Sequence, residues 1–436
     1  MSRQLSFRID EPMDSGDADR ISYEPIHVGR STFLNGQASK VHRWFRLTPS
    51  FGPELVHEMI GKMDVSRGET ILDPFAGAGT TLIEAKLNGF NCVGFEINPL
   101  LHFVNQTSVQ WDIEPFALRR DLDQICARFC ASERVRLTEL EKHGLTLPPI
   151  HNPTRWWRED VLVDLLLLKR AINAVSNELH RDFFRLSLAG CLVPDLTNVT
   201  LGKLQLHFID RSDDEIHVLQ TYENHARGMI DDLEKIRSQP RPGHSTCYLQ
   251  NATDLKKLRL AAPIDAVITS PPYPNRYSYV WNTRPQLYLL DYFSTPREAS
   301  DLDKRTIGGT WGTATSELAK GVVAPLNDAV GKIVRPVSDE IRKTDNLMAN
   351  YVVHYFNRLT MQIMEMNRLL SPRARIAYVV GNSWIKGTYI ETDVMLAEIL
   401  KRLDLNFKID DVHRFRKRHS GSKLFESIVY ASKRFR

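Results

Sequence analysis

Two short stretches of this chain hold residue types that can do chemistry. The first is Asp73-Pro74-Phe75-Ala76-Gly77-Ala78-Gly79-Thr80. Its glycines stand between an apolar run and a helix-like run, where a chain without Cβ atoms lets a ligand approach the backbone closely. One acid, Asp73, precedes the turn. A second, Glu96, ends the next apolar run and is followed by Asn98. A carboxylate at that place can hold both ribose hydroxyls of an adenosine-containing cofactor. No Lys-Ser/Thr pair follows the turn, so it is not a phosphate-gripping loop; an ordinary tight turn without a ligand is the plain alternative. The second stretch is Thr269-Ser270-Pro271-Pro272-Tyr273. Two prolines stiffen the chain and remove two N–H groups, leaving carbonyls to accept from a ligand amine. Tyr273 offers a flat face on which a base can stack. The alternative here is a rigid exit from a strand with no chemistry.

The elements that must position these stretches read as an α/β core. Residues 53–63 have helical apolar spacing with Pro53 at the first helical position. Thr70–Leu72 is a short buried-strand run, 80–87 a helix stopped by Gly89, and Cys92–Phe95 the next strand, which together start a doubly wound sheet. Residues 116–142, 159–192 and 213–237 have helical periodicity, bounded by Pro-rich breaks at 148–153 and 239–242. Strand signals resume at Ala266–Thr269, Ile376–Gly381 and Ile428–Ala431, with helices at 346–370 and 388–403. Residues 1–38 read as a flexible arm or a covering strand. Residues 295–345, with TIGGTWGTATSE at their centre, read as a mobile, substrate-facing loop.

The pair DPFAGAGTTLIEA and SPPYPNRYSY resembles the amino-methyltransferases of DNA, especially the cytosine-N4 group, and the likeness extends over most of the α/β core. VHRWFRLTPSFGPELVHEMI (41–60), Asn251-Ala252-Thr253-Asp254, IAYVVGNSWIKG (376–387) and ESIVYASK resemble further segments of that family. The resemblance implies an α/β, doubly wound, Rossmann-like core dependent on S-adenosylmethionine. The catalytic domain would be 39–100 with 245–436. A helical insertion, 101–244, and the segment 295–345 are candidates for DNA recognition. It implies that Phe51, Asp73, Phe75, Ala76, Gly77, Gly79, Thr80, Glu96, Asn98 and Asp254 bind the cofactor. Ser270 and the Pro271 carbonyl would hold the target amine, beside Pro272, and Tyr273 would stack on the extruded base. The product would be N4-methylcytosine in double-stranded DNA, made by the modification member of a restriction system with a cognate endonuclease. Adenine N6, guanine N2 of RNA, and a non-catalytic DNA-binding subunit on the same fold are the rivals. The cofactor stretch precedes the catalytic one, whereas many Ser-Pro-Pro-Tyr enzymes have the reverse order, and this leaves the target-recognition element open.

Composition narrows the remaining classes. The chain has 436 residues and a formal net charge of +4. No Pro-Cys dipeptide occurs, which disfavours C5 chemistry on cytosine through a cysteine nucleophile. Five scattered cysteines and 14 histidines show no metal-ligand spacing, so no metal is expected. No long apolar run suggests a membrane span, and Met1–Arg20 lacks the apolar stretch of a secretory signal, which fits a cytoplasmic, nucleoid-associated protein. Residues 401–436 hold 11 Lys+Arg against 4 Asp+Glu, a local excess of +7. Arg276, Arg284 and the run Arg414, Arg416, Lys417 and Arg418 are therefore candidate phosphate contacts. Trp156 and Trp157, between Arg155 and Arg158, read as helix-packing residues.

Overall fold

The strand Thr70–Asp73 (β2) is apolar on both faces, so it can lie only in the interior of a sheet. The protein is described by a computed structural model that covers residues 21–26, 39–48, 50–202, 205–238, 242–309, 313–417 and 424–434. Among the described residues β2 belongs to a sheet of eight strands. The others are Ile21–Tyr23 (β1), Asn91–Glu96 (β3), Ser245–Leu249 (β6), Ile264–Thr269 (β7), Leu370–Gly381 (β8), Phe407–Lys417 (β11) and Phe425–Lys433 (β12). Their order is β1-β11-β12-β8-β7-β2-β3-β6. The five strands β6, β3, β2, β7 and β8 run parallel. β12 is antiparallel to both β8 and β11.

Alternation along each strand feeds two cores. Ile71, Ala266, Ile268, Ala377 and Val379 face one layer. Leu72, Ile264, Val267, Tyr378 and Val380 face the other. The first layer contains helices Pro53–Lys62 (α1), Thr80–Leu87 (α2) and Pro99–Ser108 (α3). The 101–244 region adds Pro115–Cys130 (α4), Glu159–Asn173 (α5), Glu178–Leu192 (α6), Val218–Arg237 (α7) and the small hairpin Val199–Leu201 (β4) with Leu206–Phe208 (β5). Its Leu165, Phe183 and Leu188 join the same buried cluster as Ile71 and Leu82, so the insertion thickens the domain and shares its core. Trp157 is fully buried and Trp156 nearly so, as helix-packing residues should be.

The other layer corrects one expectation. Most of 295–345 is helical: Pro296–Arg305 (α8), Thr313–Leu318 and Asp328–Arg342 (α9). Val330, Val334, Val337 and Ile341 recur at helical spacing and pack with the long helix Asn346–Asn367 (α10). The Gly/Thr-rich centre masked that pattern, and residues 310–312 lie outside the described set. Helix Thr392–Arg402 (α11) is shorter than expected, because 388–390 pairs as β10 with Ser383–Ile385 (β9). Of the 1–38 arm, Ile21–Tyr23 is a covering strand beside β11; residues 1–20 and 27–38 lie outside the described set.

If the insertion shares the core, Phe183→Ala will lower the stability of the whole chain. Phe183 meets the Trp44 ring edge-on at 5.5 Å, and removing a buried phenyl costs ~3–5 kcal/mol. Denaturant unfolding followed by tryptophan fluorescence and circular dichroism should move as one transition. An early transition of the insertion alone, with the sheet unaffected, would show an autonomous unit.

Candidate active site

From β2 the chain winds outward through β3 to β6, then returns to the other side of β2 as β7 and β8. The carboxyl ends of β2 and β7 therefore flank a reversal of strand order, the place where open α/β sheets bind ligands. Both chemistry-bearing stretches start there. β2 and β7 pair in parallel, with Leu72 opposite Val267. One step on, Thr269 Oγ1 donates to Asp73 Oδ1 at 2.6 Å, and Phe75 N donates to the same oxygen at 3.0 Å. The two loops leave this point side by side and wall one cavity, with about 1280 Å³ of empty space including its open mouth.

The glycine turn is fastened at both ends. Ala76 N donates to the Phe95 carbonyl at 3.0 Å. Gly77 N donates to Glu96 Oε2 at 2.9 Å, and Asn98 N to Glu96 Oε1 at 2.8 Å. Gly79 precedes α2 with φ of 90°, and a Cβ on it would lie 2.5 Å from Asn105 Oδ1. Asn105 in turn donates to the Gly77 carbonyl at 2.7 Å. Gly79 is thus required by a positive φ and a close approach, and it does not line the cavity. Phe51, Asp73, Phe75, Ala76, Gly77, Thr80, Glu96 and Asn98 do. Burial pushes the Asp73 carboxyl up to about 6 against the bond from Thr269. Glu96 faces the cavity, and burial raises it to about 7 despite the backbone N–H groups of Asn98, Gly77 and Ile97. Lone pairs remain on its oxygens for a diol.

The segment 41–51 closes the near side. Arg43 Nη2, Trp44 Nε1 and Val41 N all donate to the buried carboxylate of Asp232 on α7. His42 and His57 both bond Glu84 on α2. Burial pushes the Glu84 carboxyl up, but those two histidines hold it down at about 2. The segment so pinned presents Leu47, Ser50 and Phe51 to the cavity, and Tyr277 Oη donates to the Thr48 carbonyl across it.

On the far side lie Ser270, Pro272 and Tyr273. Among the described residues, no other group bonds Ser270 Oγ or the Pro271 carbonyl. The Tyr273 ring lies flat on Gly381 at the end of β8, where a Cβ would come within 2.6 Å of it.

Several expected residues sit elsewhere. Asp254 is exposed and off the cavity wall: Asn251 Oδ1 accepts from Thr253 N and Oγ1, and this turn carries Asp254 outward. Gln250, Asn251 and Ala252 take the wall instead. Arg414 is committed inward, to Asp393 at 2.9 Å and Glu391 at 3.0 Å. Arg416 pairs with Glu426, and both line the cavity. The side chain of Lys417 and all of Arg418 lie outside the described set. Arg276, on the loop after the tetrapeptide, has φ of 62° and donates its backbone N–H to Tyr351 Oη. Arg284 is stacked between Trp156 and Trp281, 4.8 and 4.0 Å from the ring centres, and burial lowers it to about 10; it ties the insertion to the catalytic loop. Arg305, Thr306, Ile307 and Tyr279 also reach the wall. Tyr279 ends SPPYPNRYSY, and Thr306 and Ile307 open TIGGTWGTATSE, but no local pattern marks these side chains as facing a cavity; the tertiary fold does. Among the described residues no metal-binding cluster occurs, and no helix is long and apolar enough to cross a membrane.

A family model described as N6_N4_Mtase, DNA methylase, matches residues 28–104. The Type II methyltransferase M.BsoBI of Geobacillus stearothermophilus is 23% identical, with 92% of this chain and 87% of that protein aligned. M.MvaI of Kocuria varians is 24% identical, over 86% of this chain and 84% of that protein. M.AvaI of a Nostoc species is 23% identical, over 86% and 81%. A solved rRNA methyltransferase, aviRa of Streptomyces viridochromogenes, aligns over 97% of this chain and 95% of its own at 11% identity, with a TM-score of 0.31 that carries no weight here. The N6/N4 model falls on the turn and strands that build the cavity, and the likeness to the Type II enzymes runs nearly end to end. The chain is thus similar to the DNA amino-methyltransferases, its parallel sheet is Rossmann-like, and S-adenosylmethionine is the methyl donor that this likeness implies.

Proposed function

We propose that the chain methylates the exocyclic N4 amine of cytosine in double-stranded DNA, as the modification partner of a restriction endonuclease. The observation that carries this reading is Ser270 on the wall of the cavity that Asp73 and Glu96 also line, its Oγ unengaged among the described residues, with Pro272 and Tyr273 beside it and the buried Pro271 just behind that wall. The named relatives, all Type II methyltransferases, support a place in a restriction system. Serine, where an acid would stand in many adenine enzymes, supports cytosine.

The residues fit the cofactor. Glu96 would hold the ribose hydroxyls, Asp73 with the Phe75–Gly77 backbone would face the methionine part, and Asn251 would lie near the adenine. S-adenosylmethionine, when bound, supplies an electrophilic methyl on a cationic sulfur and departs as the neutral thioether. The chain's own task is to prepare the nucleophile. An amine conjugated to a base has its lone pair delocalised into the ring. Accepting one N–H on Ser270 Oγ and the other on the Pro271 carbonyl favours a tetrahedral nitrogen, whose lone pair then forms the new N–C bond in line with the breaking C–S bond. The extra proton leaves the methylated nitrogen for water at the open mouth of the cavity, relayed by the Ser270 hydroxyl, which gives up its own proton as it takes the new one. Tyr273 offers the stacking surface for the extruded base, which replaces part of the few kcal/mol lost on leaving the duplex. The insertion 101–244 and the segment 295–345 would supply sequence recognition around that base.

DNA from cells expressing the chain should contain N4-methylcytosine at one sequence when digested and read by mass spectrometry. N6-methyladenine in its place would transfer the reading to adenine. Ser270→Ala should lower turnover on the order of 10²-fold or more while cofactor affinity holds; near-normal turnover would remove Ser270 from the chemistry.

The raised carboxyls give a second test. Asp73 and Glu96 hold protons more tightly folded than unfolded, so their contribution to apo stability is full below about pH 4 and is lost as pH climbs through about 6 and about 7. A cofactor that needs the ionised forms must bind better at high pH. Calorimetric affinity should rise roughly tenfold or more between pH 5.5 and 8, and Glu96→Gln should flatten that rise. A flat wild-type profile would show that the ionised Glu96 is not the ribose ligand.

A further inference from the structure

The C-terminal hairpin enters the cavity beside the tetrapeptide. Gly381 on β8, against which Tyr273 lies, is in register with Glu426 on β12. Glu426 is in turn opposite Arg416 on β11. The two form an ion pair on the cavity wall, and Glu426 is only 7% exposed. Arg416 Nε is buried and has no acceptor among the described residues. A buried guanidinium N–H left unbonded is unfavourable, and such a group calls for a specific explanation, a missing ligand among them. The ligand is not the adenosine end of the cofactor. Glu96 ends β3, five strand steps from β11, and at ~4.8 Å per step the two are roughly 24 Å apart along the sheet. Arg416 belongs to the end of the cavity where Tyr273 and Ser270 stand.

We propose that Arg416, held by Glu426, is the residue that selects the target base, donating its Nε–H to the O2 carbonyl of a flipped cytosine. The proposal rests on the cytosine reading above. Cytosine carries its amine and its O2 carbonyl on opposite sides of N3 along one edge. With the amine on Ser270 and Pro271, the carbonyl is the acceptor left at the far end of that edge. Adenine has a C–H at the corresponding place and would leave the buried donor unpaired, which is how a hydrogen-bonding site rejects an analogue. Glu426 fixes the guanidinium and neutralises it, so that no net positive charge opposes the cationic sulfur. This replaces the phosphate contact that the basic tail suggests for Arg416.

The experiment uses the full chain and duplexes carrying its own methylation site, with the target either cytosine or an analogue in which O2 is replaced by C–H. Wild type should lose on the order of 10²-fold in kcat/KM on the analogue, and its cofactor-free affinity for the duplex, read by anisotropy, should fall with it. Arg416→Ala should fall on cytosine by a similar factor and no longer distinguish the two bases, while calorimetric cofactor affinity stays unchanged; the unpaired Glu426 will lower the unfolding midpoint. If that variant is unstable, Arg416→Lys, which keeps the charge and the length but not the Nε–H, should show the same lost discrimination. Undiminished discrimination in the folded variant, with N4-methylcytosine as product, would overturn the role of Arg416 alone. A uniform loss on both duplexes with a shallower salt dependence would identify a phosphate contact and also overturn it. N6-methyladenine as product would overturn the cytosine reading and this proposal together.

Discussion

Parallel pairing of β2 with β7 is the constraint on which the rest of the molecule depends. Nearly two hundred residues separate Asp73 from Thr269 in the chain, yet their side chains bond at 2.6 Å. Because strand order reverses at this pair, the loops that follow diverge above and below the sheet edge and leave a cleft between them. The β2 loop brings Asp73 and the glycine turn, with Glu96 of β3 beside it; the other loop brings the Ser270 hydroxyl and an aromatic face. Neither loop is a site without the other. The buried Asp73 is the joint, and its raised titration reflects that position.

Closure of the cleft is shared by distant parts of the chain. The 41–51 segment is held to α7 of the insertion through Asp232 and to α2 through Glu84. Arg284, between two tryptophans, joins the insertion to the loop after the tetrapeptide. A region that looks like an appended module is thus continuous in its packing with the cofactor wall. This continuity means that a contact made on the insertion would be felt at the cavity wall.

Local patterns were legible in the sequence and non-local pairings were not. The glycine turn, the strand–helix–strand unit around it and the rigid tetrapeptide are each fixed by residues within a few positions of one another. For that reason β2, α2, β3 and β7 fall where apolar period and turn residues put them. The helix α9 was hidden because a Gly/Thr-rich neighbour obscured its own four-residue apolar repeat. Asp254 was expected inward because an acid there suits an adenine amine; the Asn251 turn, a side-chain bond, sends it outward. The tail misled most. Its arginines read as a phosphate-binding face, but a bulge between Arg414 and Arg416 breaks the strand's alternation, and partners from α11 and β12 take their charges. Neither the bulge nor the partners are visible in a local window.

The single cleft between β2 and β7 can be probed without knowledge of the recognition sequence. Radiolabelled S-adenosylmethionine is cross-linked to the protein by ultraviolet light, and the labelled peptides are mapped. A shared cleft predicts label on peptides containing 73–80 and 270–279, lost together when excess unlabelled cofactor is added. Label confined to the insertion helices, or on the 73–80 peptide with 270–279 untouched, would contradict it.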